Sequence, residues 1–229
     1  MGCRDSRAQC QRVDHSAAGT GGRTDRDSGY FISGSPGQIQ QQVDAGEKFD
    51  LLIMPTPSLA ALDTAGKLAA GSRRALVRVG IGIAIREGAP KPDITTPDAL
   101  RKTLLAQQKV TYSDSKTGGL SGINAQKVLD NLGIAEEIKS KLLPHADGQG
   151  LIAKGEADLG LYNVSEIPRA KGVVLLGPVP AAVQAYISYD AGVPASNSSP
   201  SAASEFLKFI TSPAAAPSWP AAGLELAEP

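Results

Sequence analysis

The stretch from Leu76 to Arg86 reads Leu-Val-Arg-Val-Gly-Ile-Gly-Ile-Ala-Ile-Arg and contains the longest apolar run of the chain. Its large aliphatic residues recur at every second position, which predicts one long strand. Shorter aliphatic strands are predicted on both sides of it, with helical segments between them. Strands that alternate with helices indicate an α/β protein whose sheets are mainly parallel and whose crossovers are right-handed.

The same periodicity places the other elements. Short strands are predicted at residues 30–32, 49–54, 109–113, 158–162, 173–176 and 185–189. Helices are predicted at residues 38–45, 58–65, 121–132, 135–142, 148–154 and 202–210, with one more opened by Thr96 and Pro97 and a last one opened by Pro213. In the helix over 121–132 we expect Ile123, Val128 and Leu132 to face inward.

Composition excludes several classes of function. The chain has 229 residues, with 23 Lys and Arg against 23 Asp and Glu, so its formal net charge is zero. A neutral chain lacks the clustered positive charge that nucleic acids and anionic membranes require, so we expect no nucleic-acid partner. Cys3 and Cys10 do not have a usual zinc spacing, and no Walker-type or dinucleotide loop is present, so no metal and no cofactor are predicted.

Residues 1–29 differ in composition from the rest and show neither a helical nor a strand period. One interpretation is an irregular or disordered tail. The other, which we favour, is that the true start of a domain is missing or scrambled, as by a shifted reading frame. No signal peptide is visible, so the chain as written is expected in the cytoplasm.

Two segments repeat one design, a turn that opens a short helix, a glycine stop, and a strand led by aspartate. The first begins at Pro36 and the second at Asp147, one in each half of the chain, which favours two lobes of like construction. Helix N-termini carry unpaired N–H donors and attract anions. Three such openings are candidate anion contacts: Ser35 to Gln38, Gly119 to Gly122, and Gly148 to Gly150.

Several runs resemble the molybdate-binding type of extracytoplasmic solute-binding protein, within the type 2 periplasmic binding protein superfamily. They are Gly46–Ile53, Val79–Arg86, Gly118–Ile123, Gly155–Gly160 and Phe206–Ala215. The resemblance spans about residues 30–225. It implies two α/β lobes joined by two crossover strands, with lobe one at 30–78 plus 188–229 and lobe two at 86–178.

The resemblance also implies a site and a partner. Such proteins hold an oxyanion with hydroxyl and backbone donors in the cleft between the lobes. The residues implied here as ligand-binding are Ser35, Gly37, Gln38, Ser121, Gly122, Asn163 and Ser165. The family implies a monomer in the periplasm that delivers a small anionic solute to the membrane subunit of an ABC transporter. Molybdate binders often carry Tyr where Asn163 stands, so the resemblance does not identify the anion.

Two alternatives stay open beside solute binding. Some relatives resemble isomerases of unsaturated tricarboxylates, such as aconitate isomerase, and that chemistry needs a base beside a bound carboxylate. Glu166, Asp114 and His145 are the candidate bases. The other alternative, prompted by residues 1–29, is a degenerate product without stable activity.

Overall fold

The computed structural model describes residues 10–12, 30–32, 34–114, 120–197 and 200–227. Contacts within the chain divide it into two compact units, residues 1–48 and residues 49–229. No helix within these described ranges is both long and apolar enough to cross a membrane.

The first unit contains a strand pair and one helix. Strand β1 (Cys10–Arg12) pairs antiparallel with β2 (Tyr30–Ile32), and α1 (Pro36–Asp44) follows. An irregular segment at residues 1–29 stays an expectation, although β1 lies within it, because backbone pairing with β2 needs no apolar period. Residues 1–9 and 13–29 lie outside the described residues, and so does the remainder of that expectation. Gly46, at φ 82°, ends α1 as predicted.

The second unit carries the remaining elements. Its strands are β3 (Leu52–Pro55), β4 (Arg74–Arg86), β5 (Val110–Tyr112), β6 (Leu142–Pro144), β7 (Leu159–Asn163), β8 (Val173–Pro178), β9 (Tyr186–Gly192) and β10 (Glu225–Leu226). Its helices are α2 (Thr56–Thr64), α3 (Pro97–Ala106), α4 (Leu120–Asn131), α5 (Ala135–Ile138), α6 (Gly148–Lys154), α7 (Pro200–Ile210) and α8 (Ser218–Ala221). The α/β class predicted from the sequence is confirmed.

Strand β4 organises the sheet. Its first half, Arg74 to Gly80, pairs antiparallel with β9, and its second half, Ile81 to Ile85, pairs antiparallel with β7. The strand order is β3-β9-β4-β7-β5-β6, with β8 and β10 also paired to β4. Strand β5 is parallel to β6 and to β7. Within the described ranges the pairing is therefore mixed rather than mainly parallel, because β4 runs against each of its neighbours.

The apolar core forms where the second half of β4 meets the helices. Ile81, Ile83 and Ile85 are at most 2% exposed, and they cluster with residues of α3, α4 and β7. A separate cluster joins the first half of β4 to β9 and α7. The aliphatic residues of β4 are thus buried in these two clusters, as the alternation in the sequence predicted.

Three local predictions are wrong. Ile123 is 44% exposed, because α4 turns its small and polar residues inward instead. The helix expected over 135–142 ends at Ile138, continues as one 3-10 turn, and gives way to β6, since Leu142 is drawn into pairing with Val110. The last helix begins at Ser218 rather than at Pro213.

Candidate functional site

The first turn of α4 and the end of β7 bring polar side chains into a buried region. Asn163 is the last residue of β7 and lies opposite Ile81 of β4, with 4% of its surface exposed. Ser121 and Asn124 lie one turn apart on α4, and each is 3% exposed. Residues three apart share a helix face, so both side chains lie on the inward side of α4.

Three atoms of these residues have no hydrogen-bond partner in the described parts of the chain. They are Ser121 Oγ, Asn124 Nδ2 and Asn163 Oδ1. A buried polar atom left unpaired costs free energy, and most buried polar atoms in folded proteins are satisfied. Three such atoms on α4 and β7 indicate a place where a solute supplies the missing partners.

Glu166 lies beside these residues. The Asn163 side chain donates a hydrogen bond from Nδ2 to Glu166 Oε1 at 2.6 Å, and Glu166 N donates to Asn163 O at 2.9 Å, which closes a tight turn. Burial raises the pKa of the Glu166 carboxyl, and the Asn163 amide, the nearby Ser121 hydroxyl and the charge of Arg169 oppose that rise. A carboxyl in this setting holds a proton at higher pH than an exposed glutamate.

Tyr189 was not predicted as part of the site. It lies on β9, is half-buried, and has a raised pKa because of burial and the charge of Glu166. Its phenol therefore stays neutral and lies near Glu166. The sequence signal was weak, because Tyr189 follows the strand alternation like any aromatic residue in a sheet.

The opening at Gly148 to Gly150 is filled by the protein itself. Asp147 caps α6 by accepting a hydrogen bond from Gly150 N at 3.2 Å, and a side chain on Gly148 would collide with the hydroxyls of Tyr162 and Thr111. Those two hydroxyls lie 3.2 Å apart, and burial raises the pKa of Tyr162 to about 12. The anion contact expected there stays a prediction, although Asp147 already accepts the N–H of Gly150.

Three of the predicted ligand-binding residues lie in the first unit, Ser35 as the N-cap of α1 and Gly37 and Gln38 in its first turn. Ser35 and Gln38 form a capping box, in which Ser35 N donates to Gln38 Oε1 at 2.8 Å and Gln38 N donates to Ser35 Oγ at 3.3 Å. Gly37 has open space where a side chain would lie. Their role in ligand binding stays a prediction.

The remaining predicted residues have different surroundings. Gly122 is buried next to Ser121, and Ser165 follows Asn163 in the turn, with its backbone packed against Gly223. His145 is exposed, and its Nδ1 accepts a hydrogen bond from Asp147 N at 3.0 Å.

Asp114 is half-buried and lies just after β5. The pKa of Tyr112 is raised by the burial of its own phenol and by the charge of Asp114. Among the described residues, Glu166 is the one candidate base with a hydrogen bond to Asn163.

The arrangement can hold a small anion without a full counter-charge. The first N–H groups of a helix have no intrahelical acceptor, and the helix dipole places partial positive charge at the same end. Buried Ser121 and Gly122 lie in that first turn of α4, and the Ser121 hydroxyl adds a further donor. Hydroxyl and amide donors of this kind bind oxyanions and carboxylates, while Glu166 supplies one group that can exchange a proton.

Comparisons with known proteins agree with this fold. An aconitate isomerase from a Pseudomonas species is 32% identical over 208 residues, which cover 90% of this chain and 78% of that protein. The substrate-binding domain of a molybdenum ABC transporter from Clostridium difficile superposes with a TM-score of 0.74 at 20% identity, covering 85% of this chain and 84% of that one.

The periplasmic molybdate-binding protein of Azotobacter vinelandii gives a TM-score of 0.64 at 21% identity, with 85% of this chain and 86% of that chain covered. At such identities the two superpositions concern the fold alone. The model of the family of bacterial extracellular solute-binding proteins matches residues 27–225. The chain therefore belongs to the bacterial extracellular solute-binding protein family.

Proposed function

We propose that this protein binds a small oxyanion or carboxylate and delivers it to the membrane subunits of an ABC-type transporter. The observation that carries the proposal is the pair of buried donors that have no hydrogen-bond partner among the described residues, Ser121 Oγ and Asn124 Nδ2, because both can donate to an anion. Family membership supports the transport role, because the match over residues 27–225 is to a family of solute-binding proteins. A protein in this role acts outside the cytoplasmic membrane.

The proposed motion is closure of two lobes, residues 30–78 plus 188–229 and residues 86–178. Within the second unit, the pairing of β4 supports a division near residue 80, since its first half pairs with β9 and β10 and its second half pairs with β7 and β8. A strand shared in this way is suited to carry a bend near Gly80 and Ile81.

Titration calorimetry tests binding directly. We expect heat with at least one of molybdate, tungstate, sulfate, citrate and trans-aconitate, and a thermal shift with the same solute. Ser121→Ala should weaken that binding about tenfold, because a hydrogen bond to a charged group is worth roughly 1.5 kcal/mol or more.

Ser188→Ala is the matched control, because Ser188 is exposed on β9. The absence of heat and of a thermal shift with every solute would contradict the proposal. An equal effect of both serine variants would place the site elsewhere.

A second candidate function is isomerisation of an unsaturated tricarboxylate. Two observations favour it: the buried carboxyl of Glu166 beside Asn163, and the 32% identity to an aconitate isomerase. A carboxylate in that position can remove a proton beside a bound carboxyl group and return it at another carbon.

Proton NMR of trans-aconitate incubated with the protein distinguishes the two functions. Isomerisation predicts that the cis isomer appears, that Glu166→Gln abolishes it while the substrate still binds, and that exposed Glu156→Gln does not. Saturable binding without any cis product would support transport alone.

A further inference from the structure

The side-chain amide of Asn163 has one end bonded to Glu166, and its other end has no partner among the described residues. Nδ2 donates to Glu166 Oε1 at 2.6 Å, and Oδ1 has no partner among the residues that the structure describes. Asn163 is 4% exposed, so bulk water does not satisfy Oδ1. The site as it stands therefore offers an incoming solute a hydrogen-bond acceptor at Asn163.

The state of Glu166 decides which end of the amide it can bind. An ionised carboxylate only accepts hydrogen bonds, so it holds the NH2 end of Asn163 and leaves Oδ1 directed away. A protonated carboxyl can donate its O–H to Oδ1, and a half-turn of the amide then directs Nδ2 away instead. The two ends have nearly the same size, so the rotation leaves the packing of this buried residue unchanged.

We propose that Glu166 and Asn163 form a proton-controlled amide switch, which sets whether the site offers its solute a hydrogen-bond acceptor or a donor. With Glu166 protonated, Asn163 donates to a fully deprotonated oxyanion or carboxylate group. With Glu166 ionised, Asn163 accepts from a solute that carries a hydroxyl or an acid proton. The inference rests on the proposed function for the solute's location, whereas the amide rotation itself needs no ligand.

The groups around Glu166 set the pH at which the switch turns. Burial favours the protonated state, whereas the hydrogen bonds from Asn163 and Ser121 and the charge of Arg169 favour the ionised one. From β7 and β9, Tyr162 and Tyr189 approach with neutral phenols, and from α4 the hydroxyl of Ser121 is close by. The charges of Glu166 and Asp147 both raise the pKa of Tyr162. Burial is the largest influence, so the midpoint lies above that of an exposed glutamate.

Binding and protonation must be linked reciprocally. A solute that prefers the Asn163 donor binds the protonated state, so its binding draws a proton onto Glu166. A solute with a hydroxyl prefers the ionised state and releases a proton. Two probes that differ only in a hydroxyl group, citrate and tricarballylate, isolate this difference.

NMR of the ligand-free protein tests the rotation itself. Carbon-13 labelling reports the Glu166 carboxyl, and nitrogen-15 labelling reports the Asn163 NH2 group, assigned by its loss in Asn163→Ala. From about pH 4 to about pH 8, we expect both signals to titrate with one midpoint, and the Asn163 response to vanish in Glu166→Gln. An Asn163 signal that does not titrate, or that titrates with a different midpoint in the unaltered protein, would overturn the inference.

Calorimetry over the same pH range tests the consequence for specificity. The preference for citrate over tricarballylate should rise roughly tenfold as Glu166 ionises, which is the value of about one hydrogen bond. In Glu166→Gln the preference should not change with pH, whereas Glu156→Gln should behave like the unaltered protein. A preference constant with pH in the unaltered protein would overturn the switch. If neither probe binds, the proposed function fails for tricarboxylates, and the NMR titration alone decides the inference.

Discussion

The side-chain amide of Gln184 makes two hydrogen bonds to the backbone of Ile81. Ile81 N donates to Gln184 Oε1 at 2.7 Å, and Gln184 Nε2 donates to Ile81 O at 3.0 Å. Ile81 marks the point where β4 changes partner from β9 to β7. Gln184 thus supplies the acceptor for Ile81 N and a second donor to Ile81 O, beside Val179 N, where β4 changes partner.

Replacing Gln184 should destabilise the fold. In Gln184→Ala the buried N–H of Ile81 loses its acceptor, and an unpaired buried donor costs about 1–3 kcal/mol. Urea denaturation measures this loss in the free energy of unfolding. The exposed Gln108→Ala variant is the control and should differ little from the unaltered protein. Equal stability of the two variants would contradict the role given to Gln184.

A side chain at Gly148 should also destabilise the protein. The methyl group of Gly148→Ala would overlap the hydroxyls of Tyr162 and Thr111, and overpacking of this kind costs about 1–3 kcal/mol. Thermal denaturation of Gly148→Ala and of the double variant with Tyr162→Phe checks the cause, because loss of the phenol oxygen should restore part of the stability. Gly37→Ala, where space is open, is the control.

Two ion pairs of similar length should differ in their contribution to stability. Asp190 is 5% exposed and is bound by Arg73 Nε at 2.7 Å and by Thr56 Oγ1 at 2.6 Å. Arg73→Ala leaves that buried carboxylate with one partner fewer, for a loss of about 2 kcal/mol.

The Arg101–Glu137 pair, at 2.8 Å, has side chains 46% and 55% exposed. Arg101→Ala should therefore cost less than about 1 kcal/mol. Urea denaturation of both variants side by side measures the difference. A loss at Arg101 as large as that at Arg73 would contradict the argument from burial.

The outline of the fold could be predicted because backbone preferences leave local traces. The alternation in β4, the Thr96 cap with Pro97, and the glycine stops at Gly46 and Gly155 each act within a few residues, and each is present in the structure. The strand β6 could not be predicted in this way. Its pairing with β5 joins residues more than thirty positions apart, and its own three residues show no period.

The candidate site could be predicted only in part, for a related reason. Ser121 and Gly122 are predicted from a helix start, which is a local feature, whereas Asn163 is predicted from the resemblance to a family. Asn124 is not predicted, because the spacing of large apolar residues places Ile123 on the inward face of α4. The small and polar residues that actually face inward become visible only when the helix is packed on β7.

The stability of the protein should depend on pH through Glu166. A raised pKa means that the folded state binds the proton more tightly than the unfolded chain, whose glutamate has a pKa of about 4.3. This contribution to stability is complete below that value and is lost as the pH rises through the folded pKa. Glu166→Gln keeps a neutral group throughout and avoids the loss.

As the pH rises through that window, the free energy of unfolding of Glu166→Gln should therefore increase relative to that of the unaltered protein. Above the window the difference should be constant. Urea denaturation at a series of pH values measures the difference, and Glu156→Gln, at an exposed position, should give a flat profile. A profile for Glu166→Gln as flat as that of Glu156→Gln would show that burial does not hold the proton on Glu166. With such a flat profile, the amide switch would turn at the pH of an ordinary glutamate. The same measurement therefore gives the pH at which the site changes its preference from one kind of solute to the other.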